Sequence, residues 1–137
     1  MAFSVVGPYS GAAPGAVDGT TVAQATMTEA VLGNYDETVV ALATSGTVTI
    51  DLSLGNVFTC AVAGPITFAA PINMGQGDSF TLIIVMDATP SAITWNSVFK
   101  HTSDTAPTMV ASATHRIGCV TVDTGTAWET LSAGSRT

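Results

Sequence analysis

The charged helix formers are almost missing from this sequence: one lysine and three glutamates stand against 42 alanines and threonines in 137 residues. Surface helices draw their polar faces from Lys, Glu and Arg, whereas β-branched Thr and Val fit a pleated, half-buried sheet. A chain with this balance is expected to fold as an all-β protein. Glycines and prolines punctuate it at intervals short enough for small strands.

The charge distribution removes whole classes of function. Lys100, Arg116 and Arg136 are the only basic side chains, so Met1 to Phe99 has none, and ten carboxylates leave a formal net charge of −7. Nucleic-acid binders neutralise phosphates with a basic surface, and nucleotide enzymes clamp theirs with lysine or arginine. No nucleic acid and no anionic membrane is expected as a partner. No apolar run reaches the ~18 residues of a membrane span. The start Met1-Ala2-Phe3-Ser4-Val5-Val6-Gly7-Pro8-Tyr9 has neither the basic residues nor the apolar stretch of a signal peptide, so synthesis in the cytoplasm is expected. Charged residues make up 9% of the chain, against about 25% in a typical domain. So few charges cannot coat a monomer well, and contacts between subunits are the simplest cover. A homo-oligomer is expected, with a trimer as the favoured form.

Two regions differ in character. Residues 1–33 hold Gly7, Pro8, Gly11, Pro14, Gly15 and Gly19 with no apolar period, yet also Phe3, Val5, Val6 and Tyr9. That combination reads as an extended N-terminal arm that becomes ordered against a neighbour, with a floppy terminus as the alternative. Thr28–Leu32, closed by Gly33-Asn34, reads equally as one helical turn or a short strand.

Residues 34–137 read as a single β domain. Thr38–Leu42 is short and apolar, and Thr47–Leu54 alternates, with Val48, Ile50 and Leu52 on one side. Gly55-Asn56 leads into Val57–Val62, and Gly64-Pro65 into Ile66–Ala69. Phe80–Met86 is a near-continuous apolar run, the pattern of a strand covered on both faces. Ala92–Trp95 follows the break at Asp87-Ala88-Thr89-Pro90, and residues 96–109 read as a long loop. Arg116–Val122 and Ala127–Leu131 form a hairpin closed by Asp123-Thr124-Gly125-Thr126. About eight short strands without a long helix predict an antiparallel β-sandwich, jelly-roll-like in kind.

Candidate sites are few. Val120-Thr121-Val122-Asp123-Thr124-Gly125-Thr126 approaches the aspartic-protease signature, whose chemistry needs two aspartates sharing a proton. Only 14 residues follow Asp123, and Glu129 stands where an uncharged residue belongs, so the segment reads as a hairpin turn. His101 and His115 lack metal-ligand spacing with Cys, Asp or Glu. Asp36, Glu37, Asp51, Asp78 and Asp87 lack the spacing of a calcium loop. Neither a nucleophile elbow nor a phosphate-binding loop is present. Trp95 and Trp128 are either core residues or stacking platforms for a sugar, with the core favoured by their position in strands. Cys60 and Cys119 each lie in a strand and read as small buried thiols, with a bridge as the alternative. No catalytic residue, cofactor or metal is expected.

Several stretches together resemble a small β module of tailed-bacteriophage virion proteins. They are Asn34-Tyr35-Asp36-Glu37-Thr38-Val39-Val40-Ala41-Leu42, then Gly46-Thr47-Val48-Thr49-Ile50-Asp51-Leu52-Ser53 and Gly55-Asn56-Val57-Phe58-Thr59. Gly64-Pro65-Ile66-Thr67-Phe68 and Phe80–Thr89 continue the series. Trp95, Lys100, Ala106-Pro107-Thr108 and Gly125-Thr126-Ala127-Trp128 complete it. The resemblance spans about residues 34–137, and it rests on the order of these stretches rather than on one motif. Its usual aspartate-glycine end with an aromatic-rich tail is replaced here by Asp123-Thr124-Gly125-Thr126 and Glu129-Thr130-Leu131. The resemblance implies a virion protein, either a capsid decoration (cement) protein or a fibre-type module that binds a host surface glycan. One module without a shaft is short for a fibre, which favours the capsid surface and the major capsid protein as partner. Phe3, Tyr9 and Tyr35 are the expected partner contacts, since aromatic side chains dominate interface energetics.

Overall fold

The structure is a computed structural model, and it describes residues 36–137. The expected arm, residues 1–33, lies outside the described residues. Among those described, nine strands form: β1 (Val39–Ala41), β2 (Gly46–Val48), β3 (Val57–Ala61), β4 (Ile66–Phe68), β5 (Ser79–Val85), β6 (Ile93–Trp95), β7 (Phe99–His101), β8 (Thr114–Val120) and β9 (Trp128–Arg136). The all-β class is as expected from the missing helix formers.

The strands pair differently from the expectation. A six-stranded sheet has the order β1-β3-β5-β8-β9-β7, and a three-stranded sheet the order β2-β4-β6. The chain alternates between the two sheets as it advances, so β1, β3 and β5 lie side by side in parallel, as do β2, β4 and β6. Val39 pairs with Val57 and Val57 with Thr81; on the other sheet Gly46 pairs with Ile66 and Ile66 with Ile93. Only β8 runs against its neighbours, pairing antiparallel with both β5 and β9, while β7 lies parallel to β9. The antiparallel arrangement is therefore corrected to a mixed one. The turns at Gly55-Asn56 and Gly64-Pro65 pass the chain from one sheet to the other instead of folding it back on its own strand.

Both sheets supply one apolar cluster. Val48, Ile66 and Phe68 come from the small sheet and Phe58, Cys60, Leu82, Ile84 and Ile117 from the large one, all buried. Alternation places them there, because successive strand residues face opposite ways. Aromatic rings tie the cluster together: Phe58 meets Phe80 edge-on at 5.8 Å, and Phe80 tilts against Trp128 at 4.9 Å. Trp95 stacks on Phe68 at 4.8 Å and meets Phe99 edge-on at 5.3 Å. Burying a side chain such as Phe58 or Phe68 contributes about 1.5–3 kcal/mol.

Three further details depart from the sequence reading. The Phe80–Met86 run is covered on one face only: Phe80, Leu82, Ile84 and Met86 are buried, whereas Thr81 and Ile83 are half-buried and Val85 is exposed. Strand β7 forms within the segment expected to be loop. The predicted strand Thr47–Leu54 is regular only to Val48, pairs again at the Asp51–Ile72 bridge, and turns there, where the Asp51 carboxylate accepts from the Ser53 amide, the Ser53 hydroxyl and the Asn73 amide. The β8–β9 hairpin forms as expected. It carries a bulge between His115 and Ile117, where Gly134 on the facing strand adopts a positive φ of 88°.

Candidate interaction surface

Burial in the large sheet alternates, so its outward residues can be read row by row across the paired strands. The central row is Val39, Val57, Thr81, Gly118 and Leu131. On one side of it lie Ala41, Thr59, Ile83 and Arg116; on the other lie Ser79, Val120, Glu129 and Lys100. Val39, Val85, Val120 and Leu131 are exposed, Leu131 with 69% of its surface open. This face is an apolar field of Val, Ile, Leu and threonine methyls. Its charges lie to either side: Arg116 and, one row further, Arg136 beyond the central row on one side, Glu129 and Lys100 on the other, with Glu37 beside the Gly118 hollow.

Gly118 makes a depression in that field. A shallow hollow of about 520 Å³ opens there, lined by Thr81, Val120 and Leu131 and by the polar Glu37, Asn56 and Glu129. Lys100 directs its ammonium to the Ser97 carbonyl at 2.7 Å. The sequence signal for this face was the apolar run Phe80–Met86, whose alternate members Ile83 and Val85 are surplus to the core. Gly118, Val120 and Leu131 carried no signal that single strands could give.

The residues singled out by sequence fall elsewhere. Phe3, Tyr9 and Tyr35 lie outside the described residues. Asp123 organises the β8–β9 turn: its Oδ1 accepts from the Thr126 amide at 2.9 Å, the Ala127 amide at 3.1 Å and the Thr121 hydroxyl at 2.9 Å. These bonds, that from Ala127 foremost, hold its carboxyl below the ordinary aspartate range. The hairpin-turn reading of this segment thus matches the geometry.

His115 is buried, and its Nε2 accepts from the Val110 amide at 2.9 Å, a bond that pins the loop before β8. His101 sits edge-on to Trp95, with Nδ1 2.7 Å from the Thr130 hydroxyl. Burial pushes the His101 imidazole below its usual range. Among the described residues no three His, Cys, Asp or Glu side chains gather as a metal would require. Asp78 accepts from the Gly75 amide within its own turn, and the Asp51 carboxylate holds Ser53 and ties that turn to Asn73.

Trp128 is fully buried, and Trp95 is half-buried among Phe68, Phe99 and His101. Cys60 and Cys119 are free, buried thiols. Cys60 faces Ile84 and Cys119 faces Phe80 on the strand between them. Two strand spacings of about 4.8 Å and four residues of offset put them beyond disulfide reach. Burial pushes the Cys119 thiol up to about 12, and Cys60 donates weakly to the Ala43 carbonyl at 3.3 Å.

No protein-family model matches the chain, and no curated protein and no solved structure matches it.

Proposed function

We propose that this chain is a structural virion protein, a cement or decoration subunit on a phage capsid that contacts the major capsid protein and copies of itself. In this reading the two sheets form a sandwich, the arm of residues 1–33 reaches away from it, Phe3, Tyr9 and Tyr35 anchor neighbouring subunits, and the homo-oligomer is a trimer. The observation that carries the reading is the outer face of the six-stranded sheet. Isolated apolar side chains are normal on a protein surface, but Val39, Val57, Ile83, Val85, Val120 and Leu131 share one face, and such a field marks an interaction site. The low charge and the net −7 suit the outside of a particle, away from packaged nucleic acid.

The alternative, a fibre-type module gripping a host glycan, calls for open aromatic platforms. Trp128 has no exposed surface and Trp95 is stacked on Phe68, which weighs against it. The test is shell stability. Purified chain added to capsid shells should bind with a fixed stoichiometry and raise the temperature at which the shells open. Failure to bind shells, together with saturable binding to host polysaccharide, would reverse the choice.

A further inference from the structure

We propose that the outer face of the large sheet is where two copies of this chain pack against each other, with Gly118 as the point of closest approach. The inference deepens the assembly reading above by naming the face, and it holds whether or not that assembly is a virion.

Glycine in the middle of a strand weakens it relative to alanine and often marks a place where another backbone comes close. Gly118 stands in the middle of β8, between β5 and β9, yet nothing among the described residues requires it. Its φ lies outside the left-handed region, and a Cβ there would meet only the Leu131 carbonyl, at 3.9 Å. The described residues leave room for a side chain at this position. The glycine therefore answers to what packs on this face rather than to the β domain itself.

The charges select a second copy as occupant. Arg116 lies one row beyond Gly118 on β8, and Glu129 lies one row the other way on β9. No ion pair joins them within the subunit, since two rows of the sheet separate them. Consider a copy laid face to face across a two-fold axis that crosses the strands near the Gly118–Leu131 row. Each Arg116 then comes over Glu129 of the other copy, and the two Leu131 side chains meet beside the two glycines. A self-complementary patch of this kind is what a two-fold contact requires. The surrounding valines and threonines supply the apolar area, and the paired charges fix the register.

The test is the mass of the full-length chain in solution, by sedimentation equilibrium, for wild type and three variants. The wild type should form an even-numbered species, a hexamer where two of the trimers proposed above meet through this face, and Gly118→Arg should halve its mass while circular dichroism stays unchanged. Arg116→Glu should weaken association at least about tenfold by setting like charges opposite each other. The double variant Arg116→Glu with Glu129→Arg should restore it, which keeps the proposal open to refutation if Gly118→Arg fails to fold. A monomeric or strictly trimeric wild type overturns the proposal. So does an association that Gly118→Arg leaves intact, or one that the charge-swapped double variant fails to recover. Shell binding is measured separately, so its failure would leave this result standing.

Discussion

Thr121 and Asp123 hold each other across the turn between β8 and β9. The Thr121 hydroxyl donates to Asp123 Oδ1 at 2.9 Å and lies 2.6 Å from the Asp123 carbonyl oxygen. The same carboxylate caps the Thr126 and Ala127 amides, so one side chain fixes the hairpin that ends the large sheet. A sequence resembling a protease loop is thereby used as a structural clamp.

That clamp has a pH signature. Asp123 and Asp51 both have carboxyls held below the ordinary range by hydrogen bonds, from Ala127 foremost in one and Asn73 foremost in the other. A depressed folded-state value means the stabilisation is present above the unfolded value and is lost as pH falls through the folded one. Urea midpoints should therefore hold steady from neutral pH down to about pH 4 as far as these two groups are concerned, then decline. Asp123→Asn should lower stability at pH 7 and flatten part of the acid decline. A variant with the full wild-type acid slope would remove the clamp from the account.

The aromatic cluster should dominate stability. Trp128 fills the space against Phe80 with no exposed surface, so Trp128→Ala should cost about 3–5 kcal/mol in chemical denaturation. Trp95→Ala should cost less, because Trp95 is only half-buried. Equal losses at the two positions would contradict the packing described.

The thiols should be silent until the chain unfolds. Cys119 is buried with its thiol raised to about 12, and Cys60 is buried beside the Ala43 carbonyl. A thiol reagent at pH 8 should label neither within minutes under native conditions and both in denaturant. Rapid native labelling, or a disulfide formed on mild oxidation, would contradict the placement of β3 and β8 on either side of β5.

Two glycines should respond oppositely to the same change. A Cβ at Gly55 would lie 2.7 Å from the Thr38 carbonyl oxygen, so Gly55→Ala should destabilise by about 1–3 kcal/mol. Gly118→Ala makes only an ordinary contact with the Leu131 carbonyl, at 3.9 Å, and should be neutral or stabilising by up to about 1 kcal/mol. Thermal melts of the two variants at a concentration where the subunit is dissociated make the comparison.

Strand positions were legible in the sequence because turn chemistry is local. Gly55-Asn56 and Gly64-Pro65 bracket β3, and the apolar run Phe80–Met86 marks β5 without showing which of its faces is buried. Pairing was not legible. Alternation states which way a side chain faces and is indifferent to whether the neighbouring strand is parallel, so the passage of the chain between two sheets left no local mark. Strand β7 has three residues, too few for a period, and Ser132–Arg136 in β9 are all polar or small. The outer face was the least legible feature, since Val39, Ile83, Gly118 and Leu131 become neighbours only through the ladder of β1, β3, β5, β8 and β9.

The central claim is that this chain works as a subunit of an assembly, and imaging the particle tests it most directly. Virions assembled with a tagged copy of the chain should show the tag at regular positions over the capsid shell. Particles that lack the protein, or that carry it only at the tail, would contradict the account.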